Sequence, residues 1–148
     1  MKNRFNVMVG LLILFLFRTV QCQDLTKIKG SFEQLIDKEL NSLKEWGEEE
    51  KANPEKTISY WDFSHNWHAF YEEYFTYNYD IQKTNSIMSP YIGIVTFDGR
   101  RYEKVGDTKK ECLNAQWKDV GQTIPTLKYA YQDTSWILKE VPRAYKKH

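Results

Sequence analysis

Between Leu25 and Trp46 the apolar residues fall at Leu25, Ile28, Phe32, Leu35, Ile36, Leu40, Leu43 and Trp46. Intervals of three and four trace one face of an α-helix. A helix of that length with a single apolar stripe is not stable alone and needs a surface to cover it. Ser31 and Gln34 have the spacing of a capping box, so the start lies either near Asp24 or at Ser31. Gly47, the acidic run Glu48–Glu50 and Asn53-Pro54 close the segment. Three glutamates near a helix C-terminus oppose its dipole, which predicts a frayed end.

Strands supply the covering surface. From Tyr74 to Lys83 the pattern alternates, placing Phe75, Tyr77, Tyr79 and Ile81 on the face expected to meet the helix. Thr84-Asn85-Ser86 reads as a turn. Ile87–Phe97 reads as a second strand, with Pro90 and Gly93 marking an edge or a bulge. Asp98-Gly99 has the chemistry of a two-residue hairpin turn, returning the chain through Arg100–Lys104. Thr108 and Glu111 form a second capping-box pair, predicting a short helix over Cys112–Gln116. Leu127–Tyr131 and Trp136–Val141 pair around Asp133-Thr134-Ser135. The expected fold class is α+β: one long N-terminal helix packed on an antiparallel meander of four to five strands, preceded by a signal peptide.

The signal is read from the first 22 residues. Lys2 and Arg4 precede an almost uninterrupted apolar run from Phe5 to Phe17, and Arg18-Thr19-Val20-Gln21-Cys22 follows. A basic start, about a dozen apolar residues and a weakly polar exit form the layout of a secretory signal. The run falls short of the roughly 20 apolar residues a spanning helix needs. Three fates stay open: cleavage after Cys22, lipidation of Cys22, or retention as an anchor. The corresponding domains are a signal at 1–22, a single α+β domain at 23–141 and a mobile basic tail at 142–148. The expected compartment is secreted or periplasmic, with a membrane attachment only if Cys22 is lipidated or the signal stays uncleaved.

Removing residues 1–22 takes away three basic residues and no acid, so the formal charge moves from +1 to −2. That balance does not suggest nucleic acid, whose partners carry a basic excess. Cys112 is then the sole cysteine, and burial has to stabilise the domain without a disulfide. Five Trp and ten Tyr, each burying a large area, suit that task.

Helix followed by meander over residues 25–141 is similar to the order in the cystatin-like and nuclear-transport-factor-like groups. Cystatin-type inhibitors use a Gln-x-Val-x-Gly hairpin, and Gln116-Trp117-Lys118-Asp119-Val120-Gly121 has a different spacing, so inhibition is not implied. The Tyr129–Trp136 hairpin also resembles the closing hairpin of many uncharacterised exported bacterial proteins, which implies compartment more than activity.

The candidate chemistry is thin. His65, His68 and Glu72 would share a face on a helix and offer a metal two nitrogens and an oxygen; on a strand the two histidines point apart. Cys112 reads as a core thiol, with a disulfide between chains or a nucleophile paired with a histidine as the alternatives. Asp62, Glu72, Glu73 and Asp80 are carboxylates of a kind that serve acid–base chemistry, and Arg100, Arg101, Lys104, Lys109 and Lys110 make a basic stretch diluted by acids. Exposed rings beside polar groups hold ligands, and Trp61, Trp67, Tyr71 and Tyr91 are the expected lining of a cleft. The leading expectation is a non-catalytic exported domain that binds a ligand or an envelope protein, with no cofactor and no nucleic acid. The alternative is a small exported enzyme of the nuclear-transport-factor-like type, using His65, His68 and an acid near Asp80.

Overall fold

The computed structural model describes residues 2–140, with side chains from Leu25 onward. The chain divides into two compact units, residues 1–34 and 35–148. The first is helical throughout its described part. Helix α1 (Lys2–Ala52) begins there and runs through Ser31, whose Oγ donates to the Ile28 carbonyl at 2.8 Å instead of capping a new helix.

The second unit holds the last turns of α1 and a six-stranded antiparallel sheet. Its strands are β1 (Ser59–Trp61), β2 (Asn66–Lys83), β3 (Tyr91–Gly106), β4 (Lys118–Thr123), β5 (Thr126–Gln132) and β6 (Ser135–Glu140). The path is β1-β2-β3-β5-β6, and β4 pairs with β3 beside β5. The long strand β3 is thus shared: Tyr91–Thr96 pair with β5, and Gly99–Glu103 pair with β4. The α+β class with one long helix and an antiparallel sheet is what the structure shows. The signal peptide, the fate of Cys22 and the tail at 142–148 concern residues outside the described side chains.

In the first unit Ile28 and Phe32 are buried; in the second, burial along α1 follows the helical period through Ile36, Leu40 and Leu43, then continues through Gly47 and Glu50. Leu25, the first residue of the expected stripe, is exposed. The end of α1 does not fray at the acidic run. It stays helical to Ala52, and Lys56 from the following 3-10 turn reaches back to the Glu49 carboxylate. In the second unit, Val95, Phe97, Leu127, Tyr129 and Ala130 of the sheet complete the core begun by Ile36, Leu40 and Leu43.

Three sequence expectations are corrected. Asp98-Gly99 is not a turn; it lies in the middle of β3, opposite a bulge in β2 where Tyr74 faces Gly99 and Thr76 faces Asp98. Glycine is needed there for close approach. A Cβ on Gly99 would sit 2.6 Å from the Glu73 carbonyl oxygen and 2.9 Å from the Tyr74 ring. Phe75 is the additional residue of the bulge, so it leaves the core, 49% exposed, while Tyr74 is buried. The second strand also starts at Tyr91 rather than Ile87, with Ile87 and Met88 exposed in the connecting loop.

Other local signals hold. The second helix, α2 (Lys109–Asn114), starts from the Thr108–Glu111 capping box, three residues earlier than expected. The Asp133-Thr134 pair closes the β5–β6 hairpin with φ of 45° and 68°, the positive values a two-residue turn requires.

Candidate functional site

Gly47 sets the geometry of the site. It belongs to the buried stripe of α1, and a Cβ there would lie 2.1 Å from the backbone oxygen of Glu72. Only a glycine lets the helix backbone rest on β2 at this point. Beside the contact, where the bulge turns Phe75 outward, a cleft of about 450 Å³ opens. Lys44, Gly47 and Glu48 line it from α1, and the run Tyr71–Phe75 lines it from β2. Tyr71 stacks on Tyr102 with ring centres 4.8 Å apart and meets Trp117 edge-on at 4.8 Å. Lys51 lies 5.4 Å above the same ring. Burial, with the Glu73 carboxylate next, pushes the Tyr71 phenol up to about 12.

Glu50 sits one helical turn beyond Gly47. It is 4% exposed, and its Oε2 has no hydrogen-bond partner among the described residues. Desolvation, then repulsion from Glu72 and Glu49, raises its carboxyl from 4.5 to about 7, against the opposing pull of Arg101. Glu72 is held differently. The Tyr74 hydroxyl donates to its Oε2, and Thr123 Oγ1 donates to its Oε1 at 3.2 Å. Within electrostatic reach of each other are a satisfied carboxylate on the cleft wall and a buried one with one oxygen unpartnered among the described residues. Such a pair can share a proton, or draw a cation to the wall.

Of the four expected lining rings, the structure places only Tyr71 at the cleft, and there as a buried wall rather than a rim. Trp61 stacks on the His68 ring at 4.1 Å, and Trp67 packs against Tyr60 at 5.7 Å. Tyr91 pairs with Lys83 at the far end of the β2–β3 ladder, about 40 Å along the strand from Tyr71. Alternation on a strand says which face a ring takes, but not how far apart two rings lie.

The metal candidate His65, His68 and Glu72 is not gathered either. His65 is exposed in the turn between β1 and β2 with φ of 56°, while His68 and Glu72 are about 13 Å apart along β2. No group of three His, Cys, Asp or Glu residues converges among the described residues. Asp80, proposed as an acid for the same histidines, is bonded by Gln82 Nε2 at 2.9 Å and lies twelve residues beyond His68 on β2.

His68 instead meets two residues that sequence reasoning passed over. Its Nε2 is 2.9 Å from Ser64 Oγ, and its Nδ1 is 2.7 Å from Glu103 Oε1. Cys112 is fully buried; Sγ donates to the Lys104 carbonyl at 3.4 Å, and burial pushes the thiol up. The basic stretch is dispersed: Arg100 pairs with Asp119, Arg101 covers Phe70 at 4.3 Å, and Lys104 donates to the Leu113 carbonyl at 2.9 Å.

Among the residues whose side chains are described, no helix is long and apolar enough to cross a membrane. No protein family, curated protein or solved structure matches the chain.

Proposed function

We propose that this chain is an exported domain, secreted or periplasmic, that acts by binding, and that the cleft between α1 and β2 is where it binds. The reading rests on one observation above the rest: a buried Glu50 carboxyl, one oxygen of which lacks a partner among the described residues, within electrostatic reach of the Glu72 that lines the cleft. Burying such a group without a partner costs free energy, and positions that keep one are frequently functional. The lining narrows the ligand. Glu48, Glu72 and Glu73 outnumber Lys44, and Tyr71, Tyr74 and Phe75 supply ring faces and edges. Carboxylates beside aromatic rings favour a ligand with an apolar body and a cationic group, whether a small amine or a lysine side chain of an envelope protein. The resemblance to cystatin-like and nuclear-transport-factor-like domains is kept as part of this proposal, supported by the order of helix and sheet.

Native mass spectrometry of the full-length product recovered after export tests it. The expected result is a reproducible non-covalent adduct that is weakened by Phe75→Ala, a change at an exposed wall residue. A bare mass for the wild-type chain would remove the reading. The same spectrum reports processing: a start at Gln23 means cleavage, and a start at Cys22 with acyl chains means lipidation.

A further inference from the structure

We infer that Ser64, His68 and Glu103 form an acyl-transfer centre, with Ser64 as nucleophile, His68 as general base and Glu103 as the positioning residue. The inference is independent of ligand binding at the α1–β2 cleft.

Three chain segments build the centre. Ser64 lies half-buried in the turn that joins β1 to β2. His68 is the third residue of β2 and is 7% exposed. Glu103 comes from the neighbouring strand β3, its side chain 18% exposed. An ionised carboxylate only accepts hydrogen bonds, so its 2.7 Å contact fixes the proton of the neutral ring on Nδ1. Nε2 is then an acceptor, and the only way to satisfy it at 2.9 Å is donation from Ser64 Oγ. This is the direction of proton transfer that activates a serine. Trp61 stacks on one face of the ring at 4.1 Å and 12°, which restricts its swing. A second acceptor lies near Ser64, the Trp61 carbonyl at 3.2 Å. When Nε2 is protonated it donates to Oγ, and the hydroxyl proton turns to that carbonyl. Both protonation states of the ring are therefore satisfied without moving a heavy atom.

The surroundings select the substrate class. Phe63 is 82% exposed and packs on Trp61 at 5.3 Å, giving an exposed apolar ring in the same turn as Ser64. The Ser64 and His65 N–H groups both donate to the Trp61 carbonyl, at 3.2 and 2.9 Å, so neither is available to a developing oxyanion. Loss of such donors costs a factor of about 10² to 10³ in rate. The substrate is accordingly an activated carboxylic ester with an apolar or aryl acyl group, not an amide. Ser64 Oγ bonds to the acyl carbon as its proton passes to His68 Nε2. The ester C–O bond then breaks, and the alkoxide leaves with that proton. Water, deprotonated by Nε2, releases the acid and restores the hydroxyl.

The test is a fluorophosphonate probe on the full chain, with peptide mass spectrometry to locate the adduct. Oγ displaces fluoride at phosphorus, and the proton goes to His68. One adduct on Ser64 is expected in the folded protein, absent in Ser64→Ala and absent from the heat-unfolded chain. His68→Gln should slow labelling at least about 100-fold, and the folded state of that variant is checked by circular dichroism. Glu103→Gln is read by ¹⁵N shifts of the His68 ring, which should show the proton leaving Nδ1, a change that a carboxylate with no bearing on the tautomer would not produce. If the folded wild type stays unlabelled, or carries its label elsewhere, the trio only ties the hairpin to β3 and the inference fails.

Discussion

Glu50→Gln removes the charge of the buried carboxyl while keeping its shape, and its effect should depend on pH in a calculable way. In the unfolded chain the carboxyl titrates at its ordinary value of 4.5; in the fold it titrates at about 7. Between those values the native state holds a proton that the unfolded state has lost. Stability therefore falls as pH rises across the interval, with no penalty below about 4.5 and the full penalty above about 7. Wholly expressed, the difference is about 3 kcal/mol. Screening by water takes part of it, leaving about 2 kcal/mol.

Urea unfolding of wild type and Glu50→Gln at pH 5 and pH 8 measures this directly. The variant's stability relative to wild type should improve by about 2 kcal/mol between the two values, equivalent to roughly 6 °C in Tm for a chain of this size. Titrating groups that do not interact with Glu50 cancel in the comparison, because both proteins carry them. Parallel profiles for the two proteins would refute the reasoning, since they would mean that Glu50 has the same affinity for a proton folded and unfolded. A cationic ligand adds a further check. Seated against Glu72, it offsets part of the repulsion that Glu50 feels and should flatten the wild-type profile towards that of the variant.

Gly47→Ala should destabilise by about 3 kcal/mol, seen as a lower urea midpoint, because the added carbon meets the Glu72 backbone. In an open helix the same change stabilises by up to about 1 kcal/mol, so a raised midpoint would show that α1 does not rest on β2 there. Cys112 is buried, and its thiol is pushed up by desolvation. Peptide mapping after a pulse of iodoacetamide at neutral pH should find Cys112 unmodified in the folded protein and fully modified in urea; rapid native modification would contradict its burial.

The helix and the last hairpin were legible because their signals are local. The stripe from Ile28 to Leu43 repeats within a few residues, the Thr108–Glu111 box spans one turn, and Asp133-Thr134 closes a loop between adjacent strands. Asp98-Gly99 shows where local reading stops. The pair carries turn chemistry, yet its glycine answers to a bulge more than twenty residues earlier, and β3 continues straight through it. The same bulge moved Phe75 out of the core, and nothing near Phe75 in the chain announces a bulge. β1 and β4, only three and six residues long, carry too little pattern to register; they exist because β2 and β3 offer edges to pair with.

The two candidate sites fail to show in the sequence for different reasons. Glu50 was accessible in principle: continuing the buried spacing of α1 from Leu43 through Gly47 reaches it, and a glutamate at a core position is the anomaly to notice. It was masked by its neighbours Glu48 and Glu49, which make the trio look like a solvated run. Glu103 was not accessible. It meets His68 across 35 positions, through a register in which His68 faces Val105 and Glu103 faces Phe70. Since a slip of one residue would turn every side chain to the other sheet face, that contact depends on the bulge, the long β2–β3 ladder and the turn at Ser64 all being in place. A constellation with such a dependence is a property of the folded sheet, which is why its reactivity should vanish on unfolding while the thiol of Cys112 becomes available.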